Sequence, residues 1–523
     1  MPRFFLTTAI DYANGEPHLG HALEKVGADA IARFHRQLGY DVHFLIGMDE
    51  HGQKVAQTAE KQGVPPQQFV DDIAALFQAM WAQLGVRYDQ FIRTTSPAHK
   101  AGVTKLIEQI FAADASLPAD RRNFYERSYT GLYCVGCESF KQPADIVDGK
   151  CATHPTRTLE EVTEHNWFFR LSAYTGRLQQ LFAENPSFLE PESRRNEILQ
   201  LLEQGLDDIS ASRSRFDWGV PFPRPLSNGD VQTTYVWFDA LPNYWTARFF
   251  PGFEQKAAWP AHLHVIGKDI TRFHTVIWPA MLMAAGETLP AQVWAHGFIS
   301  LGGERFSKSA GVKLTLGEAI DRYGVDAFRY YLLRDVPYDG DGSFSWERFE
   351  EVYNSDLANT LGNLGSRSIA MVEKYRGGVV PSVAPDAELF AAHDASLAQA
   401  RAAVDGARRH RPNEVIGALM DAARRTNEYI QRTQPWALAK DPANAAPLDV
   451  VLTTLIASLA QCAAWLAPVM PQKMQALWEQ LGGTGDVTQV RLDQPIVVNG
   501  WQVKKGGPLF PKPLVSEGTT ETE

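Results

Sequence analysis

Cysteine is scarce: the chain has four in 523 residues, and three of them fall between Cys134 and Cys151. That excludes a disulfide framework and suits a reducing compartment with a metal site. A secretory leader is also missing. "MPRFFLTTAIDYANGEP" (1–17) has neither an apolar h-region nor a small-residue cleavage site, so none is expected. Long apolar runs are missing too. Only "VVLTTLIASLAQCAAWLAPVM" (450–470) approaches membrane length. It carries Thr, Ser and Gln and reaches Pro468, so a buried bundle helix and no membrane partner are expected. Positive charge is not in excess: 50 Lys and Arg stand against 61 Asp and Glu, a net charge of −11. This excludes sequence-blind polyanion binding but leaves room for a local basic patch. The rest is ordinary globular composition, 45% hydrophobic and 21% charged. The chain is too long for one core, and three or more domains are expected.

Along the chain, residues 1–115 alternate strand and helix. "RFFLTTAI" (3–10) is apolar and β-branched and breaks at "DYANGEP". Leu19, Leu23, Val26, Ala30 and Phe34 then recur at helical spacing. "DVHFLIG" (41–47) is a second strand, followed by "MDEHGQK". Residues 116–225 change character, with aromatic turns, Cys and many charges. Residues 226–315 resume the alternation through "TTYVWFDAL", "HLHVIGKDI" and "QVWAHGFIS". A sheet interrupted and resumed implies an insertion between two halves of one α/β nucleotide-binding fold, with ligands at the carboxyl edge of the strands. Residues 316–350 connect to a helical region, 351–506, with the apolar spacing of a bundle. A tail, 507–523, ends in "EGTTETE", which is expected to be disordered.

Four groups of residues carry chemistry. "HLGH" places His18 and His21 at the start of a helix, where the dipole favours anions. Gly20 between them lets a flat ring lie against the backbone. Two surface His at a helix start fit the same pattern. "RFSKS" (305–309) lies among Gly302, Gly303 and Gly311, and Lys308 suits a developing pyrophosphate charge; a solvated turn is the alternative. "CVGC" (134–137) and "CATH" (151–154) have the spacing of a Cys3His zinc knuckle, with Cys134, Cys137, Cys151 and His154 as ligands. A redox pair would need neither the third Cys nor the His. Cys462 sits alone in an apolar helix and is read as core. Asn363 and Arg367 share a helix face at i, i+4, and Trp436 follows Pro435 at a helix break. These three types can read and stack unpaired bases. Taken alone, they fit an N-terminal cap, a salt bridge and a core Trp better. The basic clusters "GARRHRP" (406–412) and Arg424–Arg425 fit either an RNA backbone or a solvated face.

Together and in this order, HLGH and RFSKS resemble the two nucleotide-binding motifs of class I aminoacyl-tRNA synthetases. "RFSKS" departs from the family's Lys-Met-Ser-Lys-Ser: Arg305 keeps the first charge and Phe306 replaces Met. The resemblance narrows to the methionyl-tRNA synthetase family through "DYANGEPHLGH", "DEHGQK", "YVWFDALPNYWTA", "HVIGKDITRFHTVIWPAM", "GNLGSRS" and "NEYIQRTQPW", almost the whole chain. Met48 replaces a Thr common in the family. The resemblance implies a Rossmann-like class I catalytic domain split by a zinc-binding insertion and followed by an α-helical anticodon-binding bundle.

It also implies ATP-dependent activation of L-methionine and transfer to tRNA(Met). Its cofactors would be one structural Zn²⁺ per chain and Mg²⁺ with ATP. His18, His21, Lys308 and Arg305 would be catalytic. ATP would meet His18, Gly20, His21, Gly267, Asp269, His296, Gly297 and Lys308. The methionine pocket would be Ile10, Tyr12, Asp49, Trp237, Ala240, Leu241, Tyr244, His274 and Trp278. Aromatic rings suit a polarizable thioether by area and S–π contact. Asn363, Arg367 and Trp436 would read the CAU anticodon. The large-aliphatic synthetases would need a longer insertion than about 110 residues. The cysteinyl enzyme would want its metal in the amino-acid site, and a silent RNA-binding paralogue should have lost His18, His21 or Lys308. A cytoplasmic enzyme is expected. No further RNA-binding domain is expected after "GWQVKKGGPLFPKP", and with it a monomer.

Overall fold

The computed structural model describes residues 1–511 apart from 135–138, 142–144, 153–154, 157, 215–216, 254–258, 302–303, 306–315 and 407–408, with backbone alone at 139–140 and 304–305. Its centre is a seven-stranded sheet in which every pairing is parallel. Across the sheet the strands run Leu189–Glu190, Val293–His296, Leu263–Gly267, Arg3–Thr8, Asp41–Asp49 and Asp11–Tyr12, with Gln90–Arg93 also on Asp41–Asp49. Leu6 pairs with Leu263 on one side and Phe44 on the other, all fully buried. Strands covered on both faces read as continuous apolar runs, which is why "RFFLTT" and "VHFLIGM" do not alternate. The chain builds outward from Arg3–Thr8 in one direction, then returns to its other side with Leu263–Gly267. That reversal opens a crevice at the carboxyl ends of these two strands.

The interruption has two parts. Phe124–Cys134 and Glu160–Phe169 form a long antiparallel hairpin, from Phe124 opposite Phe169 to Tyr133 opposite Glu160. After it the chain rejoins the sheet's own body. Leu178, Phe182, Ile198 and Leu202 pack in the core that also holds Leu45, Val103 and Ile266. Leu189–Glu190 adds an edge strand beside Val293 and Trp294. The hairpin's base, Phe124 and Phe169, joins the same core, and the strands run outward from there to Tyr133 and Glu160.

Residues 316–350 are built into the body as well. Gly342–Phe344 pairs with Ile299–Leu301, and Phe328, Tyr331 and Leu332 are fully buried. The bundle follows with helices Asn363–Arg376, Ala387–Asp405, Pro412–Thr433, Ala445–Leu466 and Pro471–Leu481. Pro442–Leu466 is long and apolar enough to cross a membrane by length and composition, yet 83% of its apolar window is buried inside the protein. It is the bundle's core helix, with Cys462 buried in it. Arg329 ties the bundle to the sheet. Its buried guanidinium donates to Asp29 Oδ2 at 2.6 Å on the first helix, and to the Leu84, Val469 and Pro468 carbonyls.

Candidate active site

A cavity of about 1230 Å³ opens at the crevice. The segment after the strand Arg3–Thr8 feeds it Ala9, Ile10, Asp11 and Tyr12; the helix Leu19–Gln37 and its cap feed it His18, Gly20, His21 and Glu24. Asp49 enters from the end of Asp41–Asp49, in register with Tyr12. Gly267 and Asp269 follow one returning strand, and His296 and Gly297 end the other.

The two imidazoles cap their own helix. The His18 N–H donates to His21 Nδ1 at 3.2 Å, and the Gly20 N–H donates to His18 Nδ1 at 3.2 Å. This is a capping box with His in both roles. Because each Nδ1 accepts, each neutral ring carries its proton on Nε2. The rings stack with centroids 3.7 Å apart. Burial holds His21 well below the ordinary imidazole range, and His18 and Lys25 add to this. The helix start therefore offers a neutral donor where its dipole favours an anion. Gly20 leaves room for the His18 ring here, since a Cβ would lie 3.1–3.2 Å from it. Gly297 has a different reason: a Cβ there would strike the Gly340 carbonyl at 1.9 Å.

The apolar wall comes from Val236–Ala240 and the residues after it. Trp237, Ala240, Leu241, Tyr244 and His274 all line the cavity. His274 lies in a π-helical turn, Phe273–Ile277. Its Nδ1 faces the Ile270 carbonyl at 3.0 Å, so Nε2 accepts the Tyr244 hydroxyl at 2.7 Å. Burial lowers His274 to about 4 and raises Tyr244, so both groups are neutral near pH 7. A neutral aromatic pocket suits a thioether better than a charged side chain. Phe273, absent from the sequence-predicted set, stacks on Trp237 at 3.7 Å and lines the cavity. Trp278 does not line it. It is fully buried behind Tyr244, with ring centroids 6.4 Å apart, and backs the wall as core.

Two buried charge groups support this edge and were missed in the sequence. Asp239 receives His51 Nδ1 at 2.6 Å and His99 Nε2 at 2.9 Å, tying the turn after Asp49 to the helix that carries Trp237. Lys25 donates to the Ala9 carbonyl, Asp11 and Glu24, and Glu24 reaches His296 at 3.2 Å. On the far side the cavity runs up to the insertion hairpin, where Arg127, Tyr129, Lys141 and Phe168 line it.

Lys308 lies outside the described residues. The backbone of Arg305 is described, in a short strand opposite Ser300 that leads away from Phe298 at the cavity edge. Cys137 and His154 also lie outside the described residues. Cys134 ends one strand opposite Ser139, Cys151 ends another opposite Ile146, and both thiols are buried. Among the described residues no group of three or more His, Cys, Asp or Glu is placed to hold a metal, as two of the four predicted ligands fall outside them. Two buried thiols at the ends of short hairpins fit half of a tetrahedral donor set. In the bundle, Asn363 is exposed and Arg367 half-buried. Trp436 is 40% exposed, so it is not a core Trp. Parts of the basic clusters are engaged internally: Arg411 pairs with Asp339 at 2.6 Å, Arg424 with Asp421, and Arg425 donates to Ser396.

A parallel sheet with its crevice at the reversal, a His-capped helix start and a split by an insertion define a class I tRNA synthetase. The family model described as "tRNA synthetases class I (M)" matches residues 4–161 and 126–369. The chain is 41% identical to a methionine–tRNA ligase of Caldanaerobacter subterraneus, over 97% of this chain and 78% of that one. It is 40% identical to the methionine–tRNA ligase of Streptomyces coelicolor, over 97% and 96%. The Mycobacterium tuberculosis methionyl-tRNA synthetase in complex with methionyl-adenylate superposes with a TM-score of 0.89 at 38% identity, over 98% of this chain and 100% of that one. The chain belongs to the methionyl-tRNA synthetase family.

Proposed function

We infer that the chain is a methionine–tRNA ligase, which activates L-methionine with ATP to methionyl-adenylate and passes the methionyl group to tRNA(Met). The observation that carries this reading is a neutral aromatic pocket opening beside a His-capped helix start within one cavity at the strand reversal. In the reaction a methionine carboxylate oxygen attacks the α-phosphorus in line, the bond to the bridging oxygen breaks, and pyrophosphate leaves. The Ile10 carbonyl and Asp49 receive the α-ammonium. Tyr12, Trp237, Ala240, Leu241, Tyr244 and His274 enclose the thioether. His18 and His21 donate through Nε2 to phosphate oxygens, and Lys308 and Arg305 would add positive charge to the pyrophosphate. Gly20, Gly267, Asp269, His296 and Gly297 bound the nucleotide. No covalent enzyme intermediate is required, so catalysis is by positioning and electrostatics.

Mg²⁺ accompanying ATP would neutralise charge on the triphosphate. Cys134, Cys137, Cys151 and His154 would hold one structural zinc, which would tie their two segments together. Asn363, Arg367 and Trp436 would read the anticodon from the bundle. The solvent exposure of Asn363 and Trp436 supports that reading over a core role. We place the enzyme in the cytoplasm as a monomer. Pyrophosphate exchange with a panel of amino acids tests the activity. Methionine should drive exchange and leucine and cysteine should not; exchange driven by leucine or by none of them contradicts it. Elemental analysis of protein purified without chelator should find zinc, and its absence removes the knuckle.

A further inference from the structure

Lys25 sits one residue behind the cavity, with no exposed side-chain surface. An ammonium has three donors, and all three are used: on the Ala9 carbonyl at 2.9 Å, Asp11 Oδ1 at 2.9 Å and Glu24 Oε1 at 2.7 Å. Lys25 therefore has no donor left for a phosphate, although it follows HLGH on the same helix. Glu24 uses its second oxygen on His296 Nε2 at 3.2 Å, and the other nitrogen of that ring faces the Gly297 carbonyl at 2.8 Å. Ala9, Asp11, Glu24 and His296 all line the cavity, and Lys25 does not. Asp11 Oδ2 has no partner among the described residues.

Packing alone does not call for this arrangement. A buried cation between two carboxylates is often no more stabilising than apolar side chains of the same volume. What it adds is direction, since three bonds at one nitrogen fix three groups relative to one another. One group is the carbonyl just before Ile10, whose own carbonyl is assigned to the α-ammonium. Another leads through Glu24 to the strand end on the nucleotide side.

We propose that Lys25 is a positioning residue for adenylate formation, holding the first strand's end and, through Glu24, His296 in the one geometry that aligns the methionine carboxylate with the α-phosphate. This rests on the methionine–tRNA ligase reading. Its effect belongs in the turnover of the bound pair, not in uniform binding of either substrate.

The test is pyrophosphate exchange by the full chain, normalised to active sites titrated by adenylate formation, with thermal melts alongside. Wild-type exchange with methionine must be present; its absence fails the functional reading, not this inference. Lys25→Met is expected to lose about 10²-fold in kcat per active site, with the methionine KM moving by less than about 5-fold. Glu24→Gln keeps an acceptor for Lys25 but turns an N–H donor toward His296 in place of a carboxylate acceptor, and is expected to lose about 10-fold in kcat. The double variant should be no slower than Lys25→Met alone, because the second change acts through the first. A folded Lys25→Met within about 3-fold of wild-type kcat overturns the proposal, as does a double variant that shows the product of the two losses. If Lys25→Met does not fold, the isosteric Glu24→Gln decides: a wild-type kcat overturns the proposal and a loss supports it.

Discussion

The sheet's carboxyl edge and the helical bundle bury different things. At the edge the interior holds ions and imidazoles: Asp11, Glu24, Lys25, His51, His99, Asp239, His274 and His296 are all buried. Along the bundle's core helix it is mostly Leu, Val, Ile and Ala, while the candidate base readers Asn363 and Trp436 reach solvent. Buried charge is expensive and is tolerated where orientation matters. Buried hydrocarbon holds a platform together and leaves contact to the surface. A single substitution should therefore damage chemistry at the edge, stability in the bundle's interior and RNA recognition on its face.

The largest effect is expected at Asp239. Removing its carboxylate in Asp239→Ala takes the partner from His51 Nδ1 and leaves His99 Nε2 only the Asp239 backbone carbonyl, and should cost about 3–5 kcal/mol by urea denaturation, with exchange lost as the wall carrying Trp237 loosens. Leu455→Ala in the bundle should cost a similar 2–5 kcal/mol, by loss of buried area and creation of a cavity. Exchange per titrated active site should then stay at the wild-type level. If Leu455→Ala slows chemistry as much as Asp239→Ala does, the two regions are not distinct.

A pH comparison sharpens the picture within the edge itself. Burial raises Asp11 to about 7, because Lys25 cannot fully satisfy two carboxylates. Glu24 is also pushed up by burial, but Lys25 and His296 outweigh this and it ends below its usual range. A raised acid favours the folded state below its unfolded value, and that contribution is lost as pH rises through the folded value. Asp11→Asn should therefore gain stability relative to wild type between pH 5 and about 7.5, read as a growing difference in urea midpoint. Asp239 runs the other way. His51 and His99 outweigh its burial and hold it below the carboxylate range, so its contribution is kept above about pH 4 and lost below that. An Asp11→Asn difference that is flat across this range contradicts the shared-ammonium arrangement.

The smallest effect on the fold is expected at Trp436. Being 40% exposed, Trp436→Ala should shift the melt by no more than about 0.5 kcal/mol and leave exchange alone. It should weaken the tRNA contribution to aminoacylation by about 1–3 kcal/mol through lost base stacking. Equal losses in both reactions with a lowered melting temperature would return Trp436 to the core.

Much of the edge was legible because its signals are local. An apolar strand, a turn and "HLGH" lie within twenty residues, and a helix start is an anion site by backbone geometry alone. The buried chain was not legible. On a helix, Glu24 and Lys25 read as a solvated pair, and their burial depends on His296, 272 residues away. Leu19–Gln37 buries Glu24, Lys25, Asp29 and Arg33 along with its apolar residues, although its spacing alone gives an ordinary amphipathic helix with charged residues expected on the solvent side. Phe273 was hidden because a π-helical turn shifts which residues share a face. Leu189–Glu190 is two residues long, too short for any alternation to show. Trp278 shows the opposite difficulty: an aromatic in a pocket motif and one packed behind it have the same sequence pattern.

The most direct test of the central claim, that the carboxyl edge performs the chemistry with methionine by itself, is a rapid-quench adenylation burst without tRNA. With methionine, ATP and pyrophosphatase present, the account predicts a burst of about one adenylate per chain and little burst with leucine, since a neutral aromatic pocket favours the thioether. No burst with methionine, or an equal burst with leucine, would contradict it.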